Sequence, residues 1–263
     1  MKRTIQNVID LIIASVPGAP REDSVDVFKC GDPAQEVTGI ISTFTASMHV
    51  LRKAVELGAN LVITHEPTFY EHREQTDWLA DDPIVQAKRE FIAQNHLVIW
   101  RFHDYWHMHE PDGILTGMLK ALGWEAYQQP ERWGPLVIPG MTLATLVATL
   151  KEQLAMSTVR VVGEPQQRCE RIGMLVGSIG GDRQIQAFHH GNLDAVICGE
   201  TCEWQTCEYV RDAVAMGYNK ALVIVGHANS EEEGMRYLAT WLQPKVAEVP
   251  ITFVAAGDPV TTL

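Results

Sequence analysis

Short, strongly apolar runs alternate with helical patterns along nearly the whole chain, and that rhythm leaves few folds open. Val37–Phe44, Asn60–Thr64 and Leu97–Trp100 read as strands in the first half. Val159–Val162, Arg171–Val176, Leu193–Cys198, Ala221–Val225 and Ile251–Ala255 read as strands in the second. Helical patterns stand between them at Met48–Leu57, Ile84–Gln94, Ile114–Leu122, Leu143–Leu154, Arg183–His189, Gln205–Met216 and Glu231–Leu242. Strands this apolar, separated by helices of about 10 to 15 residues, predict an α/β fold with mainly parallel sheets covered on both faces. A further helix opens the chain, because Ile5, Val8, Ile9, Ile12 and Ile13 share one face at helical spacing. Gln6, Asn7 and Asp10 interrupt the apolar stretch that a signal peptide after Met1-Lys2-Arg3 would need, so the start reads as mature protein.

A chain of 263 residues favours two domains over one, since single cores stop growing at about 250 to 300 residues. Residues 124–140 carry Pro130, Gly134, Pro135, Pro139 and Gly140 between two periodic regions, which predicts a junction. The expected division is an N-terminal α/β domain over residues 1–130 and a second α/β domain over 131–263. Charge narrows the partners: 21 Lys+Arg against 33 Asp+Glu leave a net charge of −12, which argues against a nucleic-acid binder. No apolar run approaches the roughly 20 residues of a membrane span. Five cysteines form an odd, sparse set that fits the reduced thiols of a cytoplasm better than a disulfide framework.

In open α/β sheets ligand groups gather at the carboxyl ends of strands, and three such ends carry metal-capable side chains. Leu61-Val62-Ile63 runs into Thr64-His65-Glu66-Pro67. Leu97-Val98-Ile99-Trp100 runs into a stretch holding His103, Asp104, His107 and His109. Leu222-Val223-Ile224-Val225 runs into Gly226-His227-Ala228-Asn229-Ser230-Glu231. A lone histidine after a strand is usually a capped or solvated loop residue; five of the chain's 10 histidines in three such loops point to metal. Imidazole with carboxylate suits Zn, Mn, Fe or Ni. Part of the third cluster reads as a helix start: Ser230 with Glu233 forms a capping box, and Asn229 with Glu232 is the alternative. Either box leaves Glu231 to point with His227 toward the strand end.

Weaker signals carry plainer readings. Gly177-Ser178-Ile179-Gly180-Gly181 follows a strand and opens a helix, where backbone N–H groups can receive a phosphate; a tight turn needing positive φ explains it with fewer assumptions. Cys198, Cys202 and Cys207 lack the spacing of a zinc site and read as small hydrophobes.

Four stretches carry a resemblance to a known family. They are Phe28-Lys29-Cys30-Gly31-Asp32-Pro33-Ala34-Gln35-Glu36-Val37, the run from Ala54 to Pro67, the pair Met174–Asp182 and Leu193–Glu200, and Gly226-His227-Ala228-Asn229-Ser230-Glu231. In this order they resemble the NIF-three-like family, also called GTP cyclohydrolase 1 type 2. The resemblance implies two α/β domains, a dinuclear metal site in the cleft between them with the C-terminal part returning to it, and a ring-shaped homohexamer. It also implies hydrolytic opening of the guanine imidazole ring of GTP or of a related nucleotide or heterocycle. The family usually has two consecutive histidines where His65-Glu66 stands, and an aspartate where His107 stands. The ligand set carried over is therefore His65, Glu66, His107, His227 and Glu231, still three histidines and two carboxylates around two divalent ions. A rival reading is a decayed site in which each exchange lost a ligand, and a third is a descendant with one working metal position. Asp104 is either a ligand itself or an acceptor for a histidine N–H. His103 is the expected proton-transfer residue, with a supporting hydrogen bond as its plainer role, and Glu200 is a second proton-transfer residue. The function class from outside enzymology is a metal-binding assembly protein or metallochaperone.

Overall fold

A computed structural model describes residues 3–73, 75–129 and 134–261. Its elements follow in chain order as α1 (Ile5–Ile13), β1 (Phe28–Cys30), β2 (Ile40–Thr43), α2 (Met48–Glu56), β3 (Leu61–Thr64), α3 (Pro83–Gln94), β4 (Val98–Arg101), α4 (Asp104–Met108) and α5 (Gly113–Leu122). Then come β5 (Leu136–Thr142), α6 (Leu143–Gln153), β6 (Arg160–Val162), β7 (Arg168–Leu175), α7 (Gly181–Gly191), β8 (Ala195–Cys198), α8 (Glu208–Ala215), β9 (Ala221–Ile224), α9 (His227–Leu242) and β10 (Ile251–Phe253). Two compact units emerge. The first takes the described residues up to Ile114 together with Gly234–Ala256, and the second takes Leu115–Glu233 and the described residues from Gly257 on. The boundary expected at 130/131 falls on residues 130–133, which lie outside the described ones, as do Met1 and Lys2.

The first unit is built on a five-stranded sheet of order β1-β4-β3-β2-β10. β4, β3, β2 and β10 run parallel, and β1 closes one edge antiparallel to β4. Every residue of β2, β3 and β4 is buried, as sheet covered on both faces requires. On one face Ile41, Val62 and Ile99 pack with Val50, Leu51 and Ala54 of α2 and Val85 and Ile92 of α3. α1 buries Ile5, Val8, Ile9 and Ile12, the stripe read from its spacing, and starts at a capping box between Thr4 and Asn7.

The second unit carries a five-stranded sheet of order β5-β7-β8-β9-β6, with β7, β8 and β9 parallel and both edge strands antiparallel. Phe188, Val196, Cys198, Val210, Leu222 and Ile224 form its core under α7 and α8. Burial pushes the Cys198 thiol up to about 12 and that of Cys169 to about 11, which leaves both as protonated, inert packing groups. Among the described residues no helix is long and apolar enough to cross a membrane.

Several local expectations give way to tertiary contacts. α9 begins at His227, so neither capping box exists. Gly226 takes φ +91 and turns the chain from β9 straight into the helix, which leaves Ser230 inside it. The Ser230 hydroxyl donates to the His227 carbonyl at 2.7 Å and accepts from the Gly177 amide at 2.9 Å. The helix expected over Gln205–Met216 is a π-helical turn, Glu203–Cys207, followed by α8. Strands β1 and β5 and the five-residue α4 lie in stretches read as loop or linker; each of the two strands pairs with one far off in sequence, β1 with β4 and β5 with β7.

Candidate metal centre

The first cluster sits where two neighbouring parallel strands end together. Thr64 pairs with Arg101 at the last register position of β3 and β4, so His65 and His103 leave the sheet side by side. His107 follows one helical turn after His103, along α4. Ligand-capable atoms of His65, His103 and His107 all lie within 4.8 Å of one another. The rings of His65 and His103 stack with centroids 4.6 Å apart, and the His107 ring stands 5.0 Å from the first and 5.2 Å from the second.

Each imidazole holds its Nδ1 on an acceptor. His65 Nδ1 lies 3.1 Å from the Phe102 carbonyl, His103 Nδ1 2.9 Å from Asp104 Oδ1, and His107 Nδ1 3.0 Å from Asp112 Oδ2. Such partners fix the Nδ1–H tautomer and direct Nε2 as a lone-pair donor, the arrangement of metal-ligating histidines. His65 is fully buried. Burial, then the neighbouring His103 and His107, hold its pKa well below the usual 6.5, so it is neutral and ligand-competent at pH 7. The hydrogen bond from His103 holds Asp104 far below the ordinary carboxylate range, and its second oxygen takes the Val25 amide at 3.1 Å.

Two buried groups position the cluster. Asp26 accepts three amides from the first turn of α4, those of His103, Asp104 and Tyr105, at 2.8, 2.9 and 2.7 Å. Burial nonetheless raises its pKa to about 6. Arg101, wholly inside the protein, donates Nε to the His65 carbonyl at 2.9 Å and Nη1 to the His72 carbonyl. Its Nη2 stands 3.5 Å from Glu66 Oε2, and His103 Nε2 is 3.6 Å from Glu66 Oε1. One guanidinium thus clamps both ends of the loop that follows β3.

The second unit presents its own cluster by the same rule. Leu175, Cys198 and Ile224 are in register across β7, β8 and β9, so Gly177, Glu200 and His227 follow three adjacent strand ends. His227 Nδ1 lies 2.7 Å from Glu200 Oε1, and its Nε2 lies 3.1 Å from Glu231 Oε2, one turn on along α9. Ser178 donates to the other Glu200 oxygen at 3.1 Å. Gly177 takes φ +69, and a Cβ there would collide with Glu231 Oε1. The glycine loop is a turn shaped around this carboxylate.

The structure therefore gathers His65, Glu66, His103 and His107 in the first unit and Glu200, His227 and Glu231 in the second. Asp104 faces the back of His103, and Glu200 the back of His227. His109 stays apart, its Nδ1 on the Pro111 carbonyl at 2.8 Å and its ring against Trp106 and Trp241. Asp26, Arg101 and Asp112 escaped the sequence reading. Only Asp112 left a trace, as a carboxylate five residues after His107.

The chain matches the profile of the family described as Duf34/NIF3 (NGG1p interacting factor 3) over residues 5–259. The GTP cyclohydrolase 1 type 2 homolog of Clostridium perfringens is 24% identical over 239 residues, covering 86% of each chain. That of Escherichia coli K12 is 25% identical over 234 residues, covering 86% of this chain and 87% of the relative. Among solved structures, the Bacillus cereus protein related to NIF3 aligns with a TM-score of 0.79 at 14% identity, over 100% of this chain and 99% of the other. Staphylococcus aureus hypothetical protein SA1388 aligns with a TM-score of 0.77 at 19% identity, over the whole of both chains.

Proposed function

The chain belongs to the Duf34/NIF3 family, and from that premise we propose that it is a divalent-metal hydrolase of the GTP cyclohydrolase 1 type 2 kind, acting on a nucleotide or related heterocycle. The observation that carries the reading is the treatment of four imidazoles. His65, His103, His107 and His227 each hold Nδ1 on a carbonyl or carboxylate, which fits a metal taken through Nε2. Imidazoles with carboxylates and no thiolate suit Zn, Fe, Mn or Ni.

In this proposal His65, Glu66, His103 and His107 of the first unit and His227 and Glu231 of the second are the ligands for two divalent ions. His103 joins the ligands because its Nδ1 is on Asp104 in the same way as its neighbours'. Divalent ions, when bound, bring the pKa of a water toward neutrality and stabilise developing negative charge. The chain's part is to keep its imidazoles aimed. Asp104, Asp112 and Glu200 hold the Nδ1 protons in place, and Glu200, exposed beside Ser178, is placed to take a proton at a carboxylate oxygen. Assembly into a homohexamer belongs to the same proposal.

Chelator-stripped protein reloaded with Zn, Fe, Mn or Ni and incubated with GTP and a nucleotide panel tests the reading. The expected result is bound metal and a metal-dependent product, both lost in His65→Ala and His107→Ala. Metal bound without turnover on any nucleotide points instead to the assembly-protein or metallochaperone role. Protein that takes up no ion at neutral pH overturns both.

A further inference from the structure

His72 lies beside the first cluster yet is held the opposite way from the imidazoles within it. Its ring stands edge-on to that of His103, with centroids 5.5 Å apart and planes at 83°. Arg101 grips the residue twice, donating Nη1 to its carbonyl and Nη2 to its Nδ1 at 3.4 Å. A guanidinium has only donors, so His72 Nδ1 must accept. The neutral imidazole therefore carries its proton on Nε2, where His65, His103 and His107 carry theirs on Nδ1. A metal needs a lone pair; His72 offers an N–H. His72 is also exposed, on the loop after β3, whereas His65 is buried and His103 and His107 are half-buried.

We propose that His72 is a substrate-binding residue, which donates Nε2–H to an oxygen of an anionic substrate held at the metal cluster, and not a metal ligand. The geometry assigns this through Arg101: the buried guanidinium fixes the tautomer of His72 with the same fork that fixes the His65 carbonyl. With its ring centroid 5.5 Å from that of His103, His72 carries this donor on the ring that neighbours a proposed ligand. The inference rests on the metal reading above, and the two can fail separately.

The test uses the zinc-loaded, full-length protein with inorganic phosphate as the probe. Zinc affinity is measured by chelator competition and phosphate affinity by calorimetry, for the wild type, His72→Ala and His72→Gln. Thermal unfolding serves as a control that the exposed substitutions leave the fold intact. The expectation is unchanged zinc affinity in all three and phosphate binding weakened roughly tenfold in His72→Ala, the loss of about one hydrogen bond. His72→Gln, whose amide accepts from Arg101 through oxygen and donates through nitrogen, restores most of it. Zinc affinity that falls in His72→Ala overturns the inference by making His72 a ligand. Phosphate binding that is absent in the wild type, or equal in the wild type and His72→Ala, overturns it too. Failure of the wild type to bind zinc at all strikes the metal reading itself.

Discussion

Asp26 shows how much of this site depends on a residue that touches no ion in the proposed centre. Its carboxylate gathers three amides at the start of α4, a turn too short to hold its own orientation, and thereby fixes where His103 and His107 stand. Burial raises its pKa to about 6 from the 3.8 it returns to on unfolding. Between those values the folded chain keeps a proton that the unfolded chain has lost. The group's contribution to stability is thus full below about pH 4 and disappears as pH rises through 6. A gap of two units corresponds to roughly 3 kcal/mol. Asn cannot ionise, so Asp26→Asn removes this dependence. In chelator-treated protein, urea unfolding at pH 4, 5.5 and 7 is expected to show the wild type losing about 2.4 kcal/mol of that relative to Asp26→Asn across the range. A difference that stays constant with pH contradicts the burial argument. Asp26 was unreadable in the sequence because it acts on residues 77 to 79 positions away. His65, His103 and His227 were readable because a strand end announces itself locally.

At the scale of elements, buried parallel strands were the most legible part of the chain. Runs such as Leu61–Thr64 and Ala195–Cys198 are buried on both faces and apolar but for Thr64, and that pattern survives without knowledge of any partner. Element starts that depend on contacts from elsewhere were not legible. Ser230 followed by Glu233 has the grammar of a helix start, yet its hydroxyl is tied to the amide of Gly177, 53 residues away. The same contact gives Gly177 a task that glycine alone performs. With φ +69 and no room for a Cβ against Glu231, Gly177→Ala must both strain the backbone and push the carboxylate aside. A cost of about 2 kcal/mol is expected, read as a fall of roughly 4 to 8 °C in Tm. Metal uptake is expected to weaken with it, because Glu231 moves. A variant with unchanged Tm and unchanged uptake shows that the loop relaxes freely and that Glu231 has no fixed seat.

For the whole molecule, the proposed ligands come from two units that each fold around their own sheet. A ligand that binds only the folded state adds RT ln(1 + [L]/Kd), about 2.7 kcal/mol at a hundredfold excess over Kd. Zinc loading is therefore expected to raise Tm, and chelation to reverse the rise, with the logarithm of free metal once it exceeds Kd. The manner in which substitutions combine then separates one shared centre from two independent ones. His65→Ala and His227→Ala remove an imidazole from different units. If both serve the same pair of ions, the first substitution already forfeits most of the metal-induced stabilisation, and the second has little left to remove. The double-substitution cycle on that stabilisation is then expected to show a coupling well above 0.5 kcal/mol, beyond what independent sites give. The same cycle in chelator-treated protein is expected to be additive, because the coupling runs through the ions. Additive losses with metal present mean that each unit binds its own ion, and that a centre drawing on both does not form.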